Sequence, residues 1–279
     1  MTEKKSGGRA GSKGVEPAGL NTALGVGVYR KALDLVGQRF SIPQLEDMED
    51  WRGKRAMIFA PHQDDDVLGC GGTIRRLLDV KAKVRVVYLT DGSRGSAKED
   101  LSLAGRRKLE AMEGLAVLGC KEHDFLGFED GRLLLGPDTL GAVKERIISF
   151  RPDAVFVTNP LDGPNDHVMA SAIVSEALRH YKGDVQCFNY EIWNPVMPNR
   201  LVDISDVMGM KEEAIRKHRS QMEVVDYVHR FRGLNAYRSI YASGTEYCEA
   251  FLKLGREDQV RMIDGLLPAV VAATKGLDG

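Results

Sequence analysis

Short apolar runs alternate with helical segments through the middle of the chain, and this alternation constrains the fold more than any other feature. Runs of strand length occur at Arg55–Ala60, Val84–Thr90, Asp153–Thr158 and Val185–Tyr190, with a weaker run at Glu122–Phe128. Helical spacing of apolar residues occupies the segments between them, at about 73–80, 101–118, 138–150 and 166–181. Continuous apolar strands that alternate with helices are typical of a parallel sheet covered on both faces. The sequence therefore predicts an α/β fold, a Rossmann-like three-layer sandwich with a mainly parallel sheet.

The pattern divides the chain into three parts. Residues 1–20 are charged and rich in glycine and serine, which predicts a disordered tail. Residues 21–54 predict an N-terminal helix followed by a linker, and residues 55–279 predict the main domain. Beyond Asn194 the alternation decays, and we expect a helix over Asp206–Gln221 and two further helical stretches.

Composition narrows the classes of partner. The 39 basic and 40 acidic side chains nearly cancel, which argues against a nucleic acid or a membrane surface as partner. No apolar stretch is long enough to span a bilayer, and the charged N-terminus does not have the pattern of a secretory signal. The four cysteines are scattered without a CxxC pair, which is typical of reduced intracellular proteins. We therefore predict a cytoplasmic location.

The first strand-like run ends in a cluster of charged residues, PHQDDDVLGCGG, at Pro61–Gly72. His62 and three carboxylates fall within five residues, and like charges this close repel each other unless a cation or hydrogen bonds compensate. If a helix begins here, His62 and Asp65 share one face and can bind one metal ion, while Asp64 lies near the open position and can accept a proton. The alternative is an acidic surface loop with a helix-capping aspartate. The position at a strand end and the glycines that follow favour a site.

A second histidine has the same placement further along the chain. His167 follows the run Asp153–Thr158, within NPLDGPNDHVMAS, at the start of a predicted helix. Two imidazoles and one carboxylate with an open position form a catalytic rather than a structural zinc set. The same triad also suits ferrous iron, so the ligand types leave the identity of the metal open.

Taken together, these motifs resemble the LmbE/PIG-L-like family of metal-dependent N-acetylglucosaminyl deacetylases. The family signature is a strand followed by PHPDDE, a Gly-rich helix start and a later HPDH, which stand here as PHQDDD (Pro61–Asp66) and PNDH (Pro164–His167). Further pieces occur in the family's order: LTDG at Leu89–Gly92, Arg107-x-x-Glu110, RPD at Arg151–Asp153, and Lys211-x-x-Ala214-x-x-x-His218-x-Ser220-Gln221. The resemblance spans roughly Arg55 to Phe251.

The resemblance implies a zinc-dependent N-deacetylase, a hydrolase that removes an N-acyl group, with N-acetyl favoured, from a small amino-sugar conjugate. It implies that His62, Asp65 and His167 bind Zn²⁺, with Fe²⁺ as the other candidate, and that Asp64 is the general base for the attacking water. Asp166 matches a second catalytic aspartate, close to the distal ligand, that orients a neighbouring imidazole. Relatives are often multimeric, so the resemblance is also compatible with a homo-oligomer.

The resemblance and the local pattern also suggest substrate contacts. Arg107 matches an arginine that contacts substrate in relatives. Asp91, in the LTDG piece, is either a substrate contact or a turn former. Trp193 either walls a sugar pocket with its aromatic face or is buried in the core. His218 either reaches the site or packs between helices.

Three residues depart from the family pattern. Gln63 replaces the usual proline, and Asp66 replaces the usual glutamate and keeps its charge. Pro164 stands where many relatives have a histidine that helps to stabilise the oxyanion, a role that Asn165 or a group in the 190–194 loop could take over. This last departure leaves open an alternative function, that of a metal-retaining binding protein of the same fold with weak or lost deacetylase activity.

Overall fold

A computed structural model describes residues 42–94, 102–163 and 165–275, with the backbone alone described for 267–275. The predicted tail, the predicted N-terminal helix and Pro164 lie outside these residues. The strands are β1 (Gln44–Leu45), β2 (Arg55–Ala60), β3 (Lys83–Thr90), β4 (Glu122–Phe128), β5 (Ala154–Thr158), β6 (Gln186–Tyr190), β7 (Arg200–Asp203) and β8 (Cys248–Gly255). They form one sheet in the order β1-β7-β8-β6-β5-β2-β3-β4, in which only β8 runs antiparallel to its neighbours. The mainly parallel sheet is confirmed.

Helices cover both faces of this sheet. They are α1 (Asp65–Asp79), α2 (Leu103–Leu118), α3 (Pro137–Phe150), α4 (Asn165–Leu178), α5 (Met208–Lys217), α6 (Arg219–Met222), α7 (Tyr227–Arg238) and α8 (Arg256–Lys275). Ala56, Ile58 and Ala60 of β2 belong to the core under α1, α2 and α5, whereas Met57 and Phe59 belong to the core under α3 and α4. Successive residues of a strand point to opposite faces, so β2 is apolar throughout because both of its faces are buried. The three-layer sandwich is confirmed.

Among the described helices, none combines the length and the apolar character that crossing a bilayer requires.

Strand β8 was not predicted, because its sequence contains charged residues. Glu249 is buried and accepts a hydrogen bond from Nζ of the buried Lys211 (2.7 Å), and Lys253 forms an ion pair with Glu46 (2.7 Å). Partners from other elements therefore compensate both charges of β8. A pattern based on apolar periodicity detects no such tertiary pairing, which explains why only helices were predicted after Asn194.

Part of the predicted linker belongs to the folded domain. Gln44 and Leu45 form β1, which pairs in parallel with β7. Met48 and Trp51 are buried, and the ring of Trp51 lies 5.5 Å from that of Phe188. Residues 44–51 therefore extend the sheet and close one end of the core.

Helix α1 begins at Asp65, well before the predicted start near Thr73. The intervening glycines have low helix propensity, but close packing requires them. A Cβ atom on Gly69 would lie 2.3 Å from Cδ2 of Tyr190, and one on Gly72 would lie 2.5 Å from Cγ2 of Ile204. Packing against β6 and the segment after β7 thus accounts for the glycines inside this helix.

We expect Gly69→Ala to lower the free energy of unfolding by about 1–3 kcal/mol, because the new methyl group overpacks the contact with Tyr190. That ring cannot withdraw freely, since its hydroxyl donates a hydrogen bond to the carbonyl of Phe59 (2.9 Å). Urea denaturation measures the effect. Gly233→Ala in α7 is the matched control: its Cβ meets nothing within 4 Å, so the better helix former should be neutral or stabilising. Equal stability of Gly69→Ala and wild type would contradict the close packing of α1.

Candidate metal centre

Sheet topology brings the two sequence motifs together. Strand β2 lies between β3 and β5, so the loops that follow β2 and β5 meet at the carboxyl end of the sheet. This is the switch point at which α/β sheets bind ligands. His62 follows β2 and His167 stands in the first turn of α4, 105 residues further along the chain. Adjacent parallel strands therefore place both histidines at one point.

The three predicted metal ligands point their donor atoms at one another. Nδ1 of His62 lies 3.1 Å from Oδ2 of Asp65 and 3.2 Å from Nε2 of His167, which in turn lies 3.3 Å from that same Oδ2 atom. Ligand atoms around a tetrahedral zinc ion, each at about 2.0–2.1 Å, are about 3.3–3.4 Å apart. The spacing and the chemistry of this triad therefore fit one divalent cation. Because α1 begins at Asp65, His62 lies in the preceding loop and not on a shared helix face.

The second nitrogen of each imidazole faces a carboxylate. Nδ1 of His167 lies 2.9 Å from Asp162, and Nε2 of His62 lies 3.2 Å from Asp130 and 3.3 Å from Asp166. Such carboxylates fix the tautomer and the orientation of histidines that bind metals. Asp166 thus contacts the imidazole of His62, whereas the imidazole of His167, the residue next to Asp166 in sequence, is contacted by Asp162. Asp130 and Asp162 were not predicted.

Both missed aspartates precede a glycine and follow a strand, in FEDG after β4 and in PLDG after β5. Asp-Gly pairs are a common turn signal, so the local sequence does not distinguish these two aspartates from turn residues. The signal that could have found them is their position, since ligand-binding groups collect at the carboxyl ends of parallel strands.

His62, Asp130 and Asp166 form a second group that could hold a cation. Backbone N–H groups already bind its carboxylates: Gly131 and Leu133 donate to Asp166 (2.6 and 3.1 Å), and Arg94 donates to Asp130 (2.9 Å). The triad with two imidazoles is therefore the better candidate, and the second group acts as its outer support.

The surroundings of the triad are strongly anionic. Burial lowers the pKa of His62, but Asp130, Asp166 and Asp65 raise it more, so that it lies well above its ordinary value. Burial raises the pKa of Asp65, but the charge of His167 and the contacts of His62 lower it to about 2. A buried site with this excess of negative charge favours a cation.

Asp64, the predicted general base, lines the cavity beside the triad. Its Oδ1 accepts a hydrogen bond from Nη2 of Arg107 (2.9 Å), and Nη1 of the same guanidinium donates to the carbonyl of Gly92 (3.2 Å). Both side chains are buried. The predicted substrate contact Arg107 therefore also holds the carboxylate of Asp64 in place.

The cavity has a volume of about 150 Å³. Besides the polar residues already named, its lining consists of Leu68, Arg94, Ile192, Trp193, Gln221 and Tyr227. Trp193 is 54% exposed, so the structure places it at the cavity rather than in the core. Asp91 does not line the cavity; its Oδ1 accepts hydrogen bonds from the backbone of Ser93 (3.0 Å) and Asp130 (3.2 Å). The cavity lining therefore gives no support to the predicted contact between Asp91 and the substrate.

The residues that depart from the family pattern lie away from the cavity as far as the structure describes them. Gln63 is buried and donates to the carbonyl of Thr90 (2.7 Å), and Asp66 accepts from the hydroxyl of Tyr88 (2.8 Å). Asn165, suggested as a replacement donor, is exposed and does not line the cavity. The outcome at Pro164 lies outside the described residues.

Glu110 and Ser220, two further residues of the family pattern, contact each other next to the site. Ser220 donates to Glu110 through its backbone N–H (3.0 Å) and its hydroxyl (2.6 Å). His218 is buried between α5 and α6, and neither of its ring nitrogens has a hydrogen-bond partner in the described residues. It does not line the cavity, so its placement supports the helix-packing alternative.

We expect His218 to make stability depend on pH. Burial lowers the pKa of this imidazole to about 4; Arg107 and Arg219 lower it further, while Asp64 and Asp65 oppose the shift. Between about pH 6.5 and pH 4 this imidazole is protonated in the unfolded chain but mostly neutral in the folded chain. The free energy of unfolding therefore falls as the pH falls through this range. The loss amounts to about 2 kcal/mol between pH 7.5 and pH 5. Urea denaturation of wild type and His218→Gln at both pH values isolates this contribution, and equal pH dependence of the two proteins would refute it.

Comparisons with known proteins agree with this geometry. The family model PIG-L, described as GlcNAc-PI de-N-acetylase, matches residues 57–178. Diacetylchitobiose deacetylase from Thermococcus kodakarensis is 32% identical over 189 residues, which cover 60% of this chain and 70% of that protein. The chain belongs to the PIG-L family.

Two solved structures share the fold. N,N'-diacetylchitobiose deacetylase from Pyrococcus horikoshii has a TM-score of 0.66 and 24% identity, and the match covers 87% of this chain and 96% of that one. GalB, the 4-carboxy-2-hydroxymuconate hydratase from Pseudomonas putida KT2440, has a TM-score of 0.61 and 23% identity, over 72% of this chain and 96% of that one. Because the second protein is a hydratase, the fold alone does not decide the reaction.

Proposed function

We propose that this protein is a metal-dependent hydrolase that removes an N-acetyl group from a small amino-sugar conjugate. The observation that carries the proposal is the triad of His62, Asp65 and His167, with the carboxylate of Asp64 beside it in one cavity. Membership of the PIG-L family and the deacetylase relative support the same reaction.

The triad would hold Zn²⁺, since two imidazoles and one carboxylate are a typical catalytic set for that ion, and Fe²⁺ is the other candidate. When bound, such a cation supplies a water of lowered pKa and polarises the amide carbonyl. Asp162 and Asp166 face the second nitrogens of the two histidines, so with a cation bound they would keep the proton of each ring there and leave the other nitrogen free to bind.

Asp64 moves the proton in this proposal. Its carboxylate accepts a proton from the attacking water and then delivers it to the nitrogen of the departing amine. The hydrogen bond from Arg107 keeps one carboxylate oxygen fixed during both transfers. General acid–base catalysis of this kind contributes about 10²–10⁴-fold to the rate.

The shape of the site supports a small acyl group on a sugar. A cavity of about 150 Å³ can take an acetamido group, and we infer that the remainder of the conjugate lies at the rim. There the exposed ring of Trp193 offers an apolar face, which suits the apolar side of a pyranose ring.

We also propose that the protein acts in the cytoplasm. Its four cysteines, Cys70, Cys120, Cys187 and Cys248, are free and buried, as is usual in a reducing compartment.

The alternative of a metal-retaining binding protein is less favoured, because the carboxylate of Asp64 is retained next to the triad. The test is to measure the metal content of purified protein and the release of free amine from a panel of N-acetylglucosamine conjugates. We expect amine release that a chelator abolishes and added metal restores. Bound metal without amine release from any conjugate would favour the binding protein, and absence of metal binding would overturn the proposal.

A further inference from the structure

The carboxylate of Asp162 contacts two different parts of the site at once. Its Oδ2 lies 2.9 Å from Nδ1 of His167, while its Oδ1 accepts hydrogen bonds from the backbone N–H groups of Trp193 (2.9 Å) and Asn194 (2.6 Å). The N–H of Gly163 also donates to Oδ1 (3.1 Å). The side chain is fully buried. The contacts with Trp193 and Asn194 join the loop after β5 to the loop after β6, and the contact with His167 joins the loop after β5 to α4.

The contact with His167 determines which of its nitrogens can bind a cation. Nε2 faces His62 and Asp65, so it must carry the lone pair, and the proton must lie on Nδ1. An ionised carboxylate can accept hydrogen bonds but cannot donate them. Oδ2 of Asp162 therefore favours the tautomer of His167 that is protonated on Nδ1.

The contacts with Trp193 and Asn194 determine where the aromatic rim of the cavity lies. The ring of Trp193 is half exposed, so its position depends largely on the backbone that carries it. That backbone is attached to the β5 loop by the two hydrogen bonds to Asp162 and by one from the amide of Asn194 to the carbonyl of Leu161 (2.6 Å).

We propose that Asp162 is a positioning residue that couples the metal triad to the aromatic rim. One buried carboxylate sets both the tautomer of His167 and the position of the loop at Trp193, so a change at Asp162 alters metal affinity and rim geometry together. The inference rests on the proposed function in so far as the triad binds a metal.

Asparagine at this position separates the two sets of contacts, because only one of its terminal atoms accepts hydrogen bonds. If the amide oxygen faces the loop, the NH₂ group faces Nδ1 of His167, which favours the tautomer protonated on Nε2 and blocks coordination. If the oxygen faces His167, the NH₂ group meets the N–H donors of Trp193 and Asn194, and the loop loses its anchor. Asp162→Asn therefore keeps the shape of the side chain and cannot keep both functions.

Metal affinity is the first readout. We expect Asp162→Ala, which removes both sets of contacts, to bind Zn²⁺ roughly 10–100-fold more weakly than wild type, as is typical when the outer partner of a metal-binding histidine is removed. Competition against a chromophoric chelator measures this affinity without any use of catalysis.

The second readout is the fluorescence of Trp193. The chain has two tryptophans, so Trp51→Phe leaves Trp193 as the only one. In that background we expect Asp162→Ala to raise quenching by acrylamide toward the value of free tryptophanamide, because the loop is less firmly held. Asp203→Ala is the matched control: Asp203 also accepts a backbone N–H, from Ser205 (2.9 Å), but lies outside the cavity lining, and both readouts should stay at wild-type values.

A change in both readouts supports the coupling. Unchanged metal affinity or unchanged quenching of Trp193 in Asp162→Ala overturns it, and so do two unchanged readouts in Asp162→Asn. If Asp162→Ala does not fold, as judged by circular dichroism, Asp162→Glu keeps the charge but displaces both acceptor oxygens, and the outcomes stated for Asp162→Ala apply to it. Wild-type protein that binds neither Zn²⁺ nor Fe²⁺ would instead overturn the proposed function, and wild-type protein that binds Zn²⁺ but releases no amine would leave the coupling intact.

Discussion

Asp64→Asn is expected to lower turnover of an N-acetylated sugar conjugate by about 10²–10⁴-fold while bound metal is retained. The amide has nearly the same shape as the carboxylate and can still accept the hydrogen bond from Arg107, so the site should keep its structure. It cannot take a proton from water, however, and the transfer to the leaving amine is lost with it. Steady-state kinetics together with metal analysis of the same sample measures both quantities.

A neighbouring aspartate supplies the control for this experiment. Asp66 is buried, accepts a hydrogen bond from Tyr88 and does not line the cavity. Asp66→Asn therefore makes the same chemical change two residues away, and turnover should stay close to that of wild type. Wild-type turnover by Asp64→Asn would remove Asp64 from the mechanism, and loss of metal from that variant would show that the residue acts as a ligand instead.

His167→Ala is expected to lower metal affinity by more than the roughly 10–100-fold typical of changes to outer partners, because it removes a predicted ligand itself. Activity should fall with metal content. We expect a large effect because, among the described residues, the triad supplies three protein groups for the cation, and the remaining two would leave much of its coordination to water. Isothermal titration calorimetry with Zn²⁺, after removal of metal by a chelator, measures the change in affinity.

The surface histidine His180 provides the matched control, since it is exposed and lies outside the triad. His180→Ala should bind Zn²⁺ as wild type does. Circular dichroism of His167→Ala must match that of wild type, so that loss of metal is not confused with unfolding. Undiminished Zn²⁺ affinity in a folded His167→Ala protein would show that the triad is not the metal site.

Local pattern predicted much of the sheet and part of the site. The run RAMIFA predicted β2 at its observed bounds, Arg55–Ala60, because a strand buried on both faces is apolar at every position. The same strand ends two residues before His62, so the rule that ligands collect at strand ends pointed to the metal motif. Asp130 escaped prediction because an Asp-Gly pair has the same appearance in a turn and in a site.

The sequence by itself determined the alternation of strands and helices, the residue types of the triad and the resemblance to the PIG-L family, because each of these is a matter of local spacing and side-chain chemistry. Only the tertiary structure decided that β2 lies beside β5 and so brings His167 to His62. It also decided that Glu249 is a strand residue and that Asp162 joins a metal ligand to the aromatic rim. These features depend on contacts between distant segments, whose energies appear only when the chain has folded and buried groups have found their partners.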